Sequence, residues 1–306
     1  MLNWLLYHIV LLPISWLPLG LIYIIFKPIY WFIYYVLGYR KKVVMSNLQH
    51  SFPNKTEAEL KQVTKGFYKH LTSILAESIK NLSISESKLR QRMRVENPEV
   101  LNRIFDNNQS VILLSSHFQN WEFLITAQNL LFKHQAIGIG TPLTNKYLNK
   151  KINAQRARFG MKITNNEEYK SELEQNSSKP TATLVLGDQS PSKAVNAYWT
   201  TFLNQVTPFF YGAEIMANQL NSAVVYCSFT QVRRGCYSIK LIEITNQPKL
   251  TNYGDIIGRY VSLLESDIID SPAYWLWSHK RWKIAIPEDL ETVKSDHKNR
   301  FLKKFR

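Results

Sequence analysis

Ser110-Val111-Ile112-Leu113-Leu114-Ser115-Ser116-His117-Phe118-Gln119-Asn120-Trp121-Glu122 changes structural character within thirteen residues. Val111–Leu114 is an uninterrupted apolar run between serines, too short for a helix and suited to a strand buried on both faces. Trp121 to Phe132 reads as a helix, so Ser116–Asn120 is a strand-to-helix corner. The same alternation extends on either side. Ala136–Ile139, Thr181–Leu186, Ala223–Phe229 and Tyr237–Ile244 read as strands. Asn145–Phe159, Phe209–Leu220 and Tyr253–Ile269 read as helices. Upstream, Thr56 to Lys80 reads as a long helix with Thr56 as its N-cap, followed by shorter helices at Ser85–Met93 and Pro98–Phe105. Strands alternating with helices predict an α/β domain whose mixed, largely parallel central sheet is flanked by helices. No repeat or low-complexity linker divides it.

The 306 residues include 38 Lys and Arg against 23 Asp and Glu, a net charge of +15 at pH 7. At 45% hydrophobic the chain is too apolar to be disordered. A mean hydropathy of −0.22 excludes a polytopic membrane protein. The charge is unevenly placed. Leu2 to Phe26 contains no formally charged residue, and only Lys27 precedes Arg40. A basic body behind an apolar head points to an anionic membrane surface before nucleic acid, and no recognition helix, ribonucleoprotein motif or zinc module is present. Cys227 and Cys236 match neither a disulfide scaffold nor a metal spacing.

Residues 2–26 are long enough to cross a bilayer, which takes about 20 apolar residues. Pro13, Pro18, Gly20 and Pro28 break or kink a simple span, and Ile29–Tyr39 is too short alone. Trp4, Trp16, Tyr30 and Trp31 are among many aromatics suited to a membrane interface. With no basic n-region, a secretory signal is disfavoured. Arg40-Lys41-Lys42 follows, and the positive-inside rule puts the body in the cytoplasm. The expectation is an anchor over residues 1–42, spanning or re-entrant, and one catalytic-sized domain over residues 43–306. The alternative is a hydrophobic helix buried in a soluble core.

Familiar cofactor motifs are missing. Gly138-Ile139-Gly140 lacks the third glycine of a dinucleotide fingerprint, and there is no phosphate loop, His-Glu-x-x-His or Gly-x-Ser-x-Gly. Of seven histidines, His117 stands at a strand end that feeds a helix, where α/β folds build their sites. His117 and Glu122 lie five apart and on one regular helix would diverge by about 140°. Across a corner, the Glu122 carboxylate can fold back onto the imidazole, fix its tautomer and stabilise its charged form. Such a pair suits a general base acting on an attacking hydroxyl or amine, beside the positive end of a helix. The competing reading is a capping turn, with Asn120 as N-cap and Glu122 serving only the helix dipole.

His117-(x)4-Glu122 after a hydrophobic strand resembles the acyltransferase motif shared by glycerolipid acyltransferases and bacterial lipid A acyltransferases. Other segments are similar to the second group, the late acyltransferases of lipid A biosynthesis. These are Asn47-Leu48-Gln49-His50-Ser51-Phe52-Pro53, Glu77, and Asn145-Lys146-Tyr147-Leu148 leading to Arg156-Ala157-Arg158-Phe159-Gly160. Gly187-Asp188-Gln189, Phe209-Phe210-Tyr211-Gly212 and the closing Tyr274-Trp275-Leu276-Trp277-Ser278-His279-Lys280-Arg281-Trp282-Lys283 complete the set. The likeness runs from about residue 1 to residue 285. Leu186-Gly187-Asp188-Gln189 stands where glycerol-phosphate acyltransferases carry Phe-Pro-Glu-Gly-Thr, which disfavours that branch, and Tyr211 interrupts the Phe-Gly element.

The resemblance implies transfer of a fatty acyl group from a thioester, on acyl carrier protein or coenzyme A, to an acceptor hydroxyl. It needs no other cofactor and no metal. His117 is the general base and Glu122 its orienting partner. Arg156 and Arg158 diverge on their helix, and Arg156 is favoured for phosphate or the thioester carbonyl. Asp188 orients a basic group or the acceptor, or else serves a turn. Asn120 and Gln189 complete the substrate-binding set. The Trp275–Lys283 segment is expected to be structural, and Lys294–Arg306 a solvated basic tail. The implied place is the cytoplasmic face of the bacterial inner membrane, with a lipid A precursor or related glycolipid as acceptor. Lysophospholipid or aminolipid acylation, and a catalytically silent lipid-binding protein of the same fold, are the alternatives.

Overall fold

The computed structural model describes residues 2–140, 144–165, 169 and 179–306. Its centre is a seven-stranded sheet ordered β1-β9-β8-β2-β5-β3-β4. The strands are β1 (Met93–Val95), β2 (Val111–Ser115), β3 (Gln135–Ile139), β4 (Lys162–Thr164), β5 (Thr181–Leu186), β8 (Ala223–Arg233) and β9 (Cys236–Thr245). Every pairing is parallel except that of β8 with β9. A separate antiparallel hairpin joins β6 (Ala197–Phe202) to β7 (Gln205–Phe210). The expected α/β architecture with a mixed, mostly parallel sheet is present.

The opening stretch lies where that reading requires. β2 is the central strand, and all five of its residues are buried. Full burial of each apolar side chain stabilises by about 1.5–3 kcal/mol, so this strand alone anchors the layer. Helices α1 (Leu2–Leu5), α2 (Leu12–Trp16), α3 (Leu19–Trp31), α4 (Lys41–Ser51), α5 (Glu57–Asn81), α6 (Glu86–Arg92) and α7 (Glu99–Asp106) precede β2 or lead up to it. After it come α8 (Trp121–Leu131), α9 (Lys146–Ala157), α10 (Gly212–Leu220), α11 (Asp255–Asp270) and α12 (Leu290–Phe305). α8 packs on β1 and β3, α10 on β2, and α11 on β8 and β9. The predicted Thr56 cap holds: Thr56 and Glu59 form a reciprocal capping box at the start of α5.

Three segments differ from the sequence reading. Phe209 and Phe210 end β7 instead of starting a helix, and α10 begins at Gly212. Residues Leu290–Phe305 form a helix that buries His297 and Phe301, not merely a solvated tail. In the apolar head, Leu17 and Pro18 are extended and break the helix, so residues 2–26 are not one span. Pro18 cannot donate a helical hydrogen bond, whereas Pro13 sits in the tolerated first turn of α2. Among the described residues, one continuous helical stretch is long and apolar enough to cross a membrane, Leu19–Val36, in which α3 runs on into a π-helical turn at Phe32–Val36.

α3 is apolar on both sides. Leu19 and Ile22 are buried with Ala76 of α5, while Tyr23 and Phe26 pack beside them. On the other side Leu21, Ile24, Ile25 and Trp31 are exposed, Ile24 by 66%. One face is thus satisfied by protein, and the other has the composition of a surface that meets lipid.

Candidate active site

Sheet register builds the centre of the site. β2 and β5 are parallel neighbours with Ser115 opposite Leu186. The ladder continues one step further, through Gly187 N–H to the Ser115 carbonyl at 3.1 Å. Two residues beyond each strand, His117 and Asp188 therefore emerge side by side. Nδ1 of His117 is 2.8 Å from Oδ1 of Asp188, and the His117 backbone N–H donates to Oδ2 at 2.9 Å. The indole N–H of Trp275 donates to Oδ2 at 2.8 Å. Gln189 lies at the other imidazole nitrogen, its Nε2 3.2 Å from Nε2 of His117. Asp188 is 2% exposed, whereas the His117 side chain keeps 15%, so the ring bridges a buried carboxylate and the surface.

Burial alone would raise the Asp188 pKa, but the charge of His117 and hydrogen bonds from His117 and Trp275 outweigh it and hold the carboxyl below its ordinary value. A carboxylate at Nδ1 selects the tautomer with the proton on Nδ1 and the lone pair on Nε2. The Gln189 amide then donates to that lone pair.

The contact expected between Glu122 and His117 is made instead by Asp188. Glu122 lies in the first turn of α8 and turns toward α9, where Arg156 takes both of its oxygens: Nη2 to Oε1 at 2.5 Å and Nε to Oε2 at 3.2 Å. This two-pronged geometry is the favoured guanidinium–carboxylate arrangement. Arg158 diverges from Arg156, as its spacing predicts. It donates to the Leu82 and Ile84 carbonyls, closing the chain after α5 rather than facing the corner. Asn120 is fully buried and occupied at both ends. Its Oδ1 accepts from Phe123 N–H at 2.8 Å as the α8 cap, and its Nδ2 donates to Glu77 at 2.5 Å. The structure thus brings His117, Asp188 and Gln189 together, sets Glu122 with Arg156, and turns Arg158 and Asn120 inward.

Glu77 ties this corner to the apolar head. Its carboxylate accepts from Tyr23 of α3 at 2.6 Å, Tyr237 of β9 at 2.7 Å and Asn120. Burial pushes its pKa up against these three donors. The resemblance marked Glu77, but the spacing carries no sign of its partners, which come from three separate elements.

The closing tryptophan-rich segment clamps the corner from outside. Gln119 has a positive φ of 55°, and its N–H donates to the Tyr274 carbonyl at 3.0 Å. Phe118 and Trp275 pair as an antiparallel bridge. Burial pushes His279 down to about 4, so its ring is neutral at pH 7, and its Nε2 accepts from Ser190 N–H at 3.2 Å. Arg281 is fully buried over the Phe209 ring and donates to the Pro208 carbonyl at 2.6 Å. Trp275, Trp277 and Arg281 of this segment are buried, and Trp275 and His279 hold the loop that carries Asp188.

Gly187 is the tight point of that loop. A Cβ there would stand 3.1 Å from Cε1 of Tyr260, whose hydroxyl donates to the Ser115 carbonyl. Gly187→Ala is expected to cost about 1–3 kcal/mol through this overpacking. It should also lower turnover by displacing Asp188. Thermal unfolding and initial rates check both effects, and an unchanged Tm would contradict the crowding.

Cys227 and Cys236 are free and buried. Among the described residues, no three His, Cys, Asp or Glu side chains gather as a metal site.

A family model described as bacterial lipid A biosynthesis acyltransferase matches residues 1–284, spanning the apolar head, the His117 corner and the Trp275–Lys283 clamp. A search of curated proteins found no match.

Proposed function

The chain belongs to the bacterial lipid A biosynthesis acyltransferase family and is an acyltransferase, and from that premise we propose a specific reaction for it. It transfers a fatty acyl group from a thioester, on acyl carrier protein or coenzyme A, to a hydroxyl of a lipid A precursor or related glycolipid. The observation that carries the mechanism is the His117–Asp188 contact, which leaves Nε2 of His117 as the available base.

The acceptor hydroxyl takes the place of the Gln189 amide at Nε2. As its oxygen bonds to the thioester carbon, its proton passes to Nε2, and Asp188 stabilises the imidazolium through Nδ1–H. The tetrahedral oxyanion forms beside the positive end of α8. Collapse breaks the carbon–sulfur bond, and the departing thiolate recovers the proton from Nε2. No covalent acyl-enzyme is needed. Gln189 positions the hydroxyl before attack, and Glu122 fixes Arg156 at the edge of the corner.

Residues 1–42 act as the membrane anchor and residues 43–306 as the acyltransferase domain, held at the cytoplasmic face of the inner membrane. The body holds both ends of the Leu19–Val36 stretch, through Lys80 at Leu17 and Tyr68 at Tyr39. The head therefore lies along the membrane surface with its exposed Leu21, Ile24, Ile25 and Trp31 toward lipid, and the Arg40-Lys41-Lys42 run favours the cytoplasmic side. The basic surface favours anionic lipid and an acidic acyl carrier over nucleic acid.

Lipid mass spectrometry of a deletion strain, with and without the gene restored, tests the acceptor. The expected result is lipid A lacking one acyl chain, recovered on complementation. An unchanged lipid A profile with altered aminolipids or phospholipids would overturn the glycolipid assignment.

A further inference from the structure

Where the helical head breaks at Leu17–Pro18, a cavity of about 300 Å³ opens between the head and the body. Its apolar wall includes Trp16 and Leu19, and Lys80, Lys88, Arg92 and Arg233 bring four cations to it with no carboxylate in the lining. None of the four is ion-paired to a carboxylate among the described residues. Two are held in place. Lys80 Nζ donates to the Ser15 and Leu17 carbonyls at 2.8 and 3.0 Å, and Arg92 Nη1 donates to the Gly235 carbonyl at 2.9 Å. Lys88 and Arg233 are exposed at the mouth.

We propose that this cavity binds the phosphate of an anionic bilayer phospholipid, clamping the head to the body at the membrane surface. Four like charges around one small space repel, and a phosphate relieves them while accepting charge-assisted hydrogen bonds. A lipid fits better than a free anion. Trp16 is 66% exposed at the rim, and α3, which starts beside it, exposes Leu21 and Ile24 on its outer face, where acyl chains would lie.

The cavity is separate from the His117 corner. Leu19, Lys80 and Cys236 line it, while Tyr23 and Tyr237, near them along the chain, both donate to Glu77, which also accepts from Asn120 of the corner. None of His117, Asn120, Asp188 and Gln189 lines the cavity. The site therefore does not depend on the reaction proposed above.

The test uses the full chain in neutral detergent, with thermal unfolding and titration by dihexanoyl phosphatidylglycerol. Lys88→Gln/Arg233→Gln removes two cations at the mouth. Lys298→Gln/Lys303→Gln makes the same change of net charge on exposed residues of α12. The expected result is stabilisation of the wild type and of the α12 variant by the lipid. The cavity variant should bind about tenfold more weakly or worse, because each lost cation removes a charge-assisted bond. Equal shifts in both variants would reduce the effect to bulk charge and overturn the site. So would an equal response to dihexanoyl phosphatidylcholine, or inorganic phosphate stabilising as well as the lipid. If the cavity variant loses binding to acyl carrier protein but keeps its response to the lipid, the cavity is a protein-docking site and the proposal fails.

Discussion

His117→Ala is expected to lower the rate of acyl transfer by about 10²–10⁴-fold, the usual contribution of a general base. The loss should fall on kcat, since in the proposed reaction the imidazole takes the hydroxyl proton during bond formation and contributes less to holding the resting substrate. The fold should survive. The ring keeps 15% of its side-chain surface exposed, and the Asp188 Oδ2 atom still accepts from the His117 backbone N–H and the Trp275 indole. Only Oδ1 loses its partner, at a cost of about 1–3 kcal/mol. Thiol release and acylated product, measured together at saturating acceptor, check the outcome. A folded alanine variant with an unchanged kcat would remove His117 from the chemistry.

Asp188→Asn should come next in size, with a fall in kcat of about 10²–10⁴-fold from the wrong imidazole tautomer. Two donors, the His117 backbone N–H and the Trp275 indole N–H, converge on Oδ2. An asparagine there must place its carbonyl oxygen toward them, which turns its NH₂ group toward Nδ1. Nδ1 then has to accept, and the proton moves to Nε2, the nitrogen that the proposed reaction needs free to take a proton. Glu122→Gln is the matched comparison. It leaves one acceptor for Arg156 and does not touch the imidazole, so its effect should stay below about tenfold. If Glu122→Gln cripples the enzyme while Asp188→Asn leaves kcat intact, Glu122 is the orienting carboxylate after all.

The same substitution should alter the acid limb of stability. Asp188 has a lowered native pKa, so its contribution is present above the ordinary carboxylate range and is lost as pH falls through the native value. His279 acts in the same direction. Its native pKa is pushed down to about 4, so between about 6.5 and 4 the unfolded chain binds a proton that the native ring refuses, and stability falls with acid. Denaturant midpoints from pH 7 to 4 should decline in the wild type. His279→Gln should flatten part of that decline. A slope identical to that of the wild type would exclude His279 as a source.

The opening stretch was readable because its information is local. Val111–Leu114 can only be a buried strand, Asn120 carries its own capping signal, and His117 stands between them at the strand end. Thr56 marked the start of α5 for the same reason. The β6–β7 hairpin was not readable. Its turn places Leu203 and Asn204 at φ of 48° and 62°, and a leucine gives no turn signal. Leu203 accepts that backbone conformation because its side chain is buried and its N–H is taken by Glu265. Pro18 and Pro28 look equally disruptive in sequence, yet the chain breaks at the first and stays helical through the second.

The sequence thus placed a histidine at a strand end and separated a basic body from an apolar head, all properties of neighbours in sequence. Which carboxylate holds the imidazole was another kind of question. Glu122 is near in sequence, while Asp188 is 71 positions away and becomes adjacent only because β5 pairs with β2 in a register that sets Leu186 opposite Ser115. The tertiary structure likewise delivered Arg156 to Glu122, and Tyr23, Tyr237 and Asn120 to Glu77. Periodicity and caps are written residue by residue along the chain. Partners across a sheet or between helices are chosen by packing, which no single stretch contains.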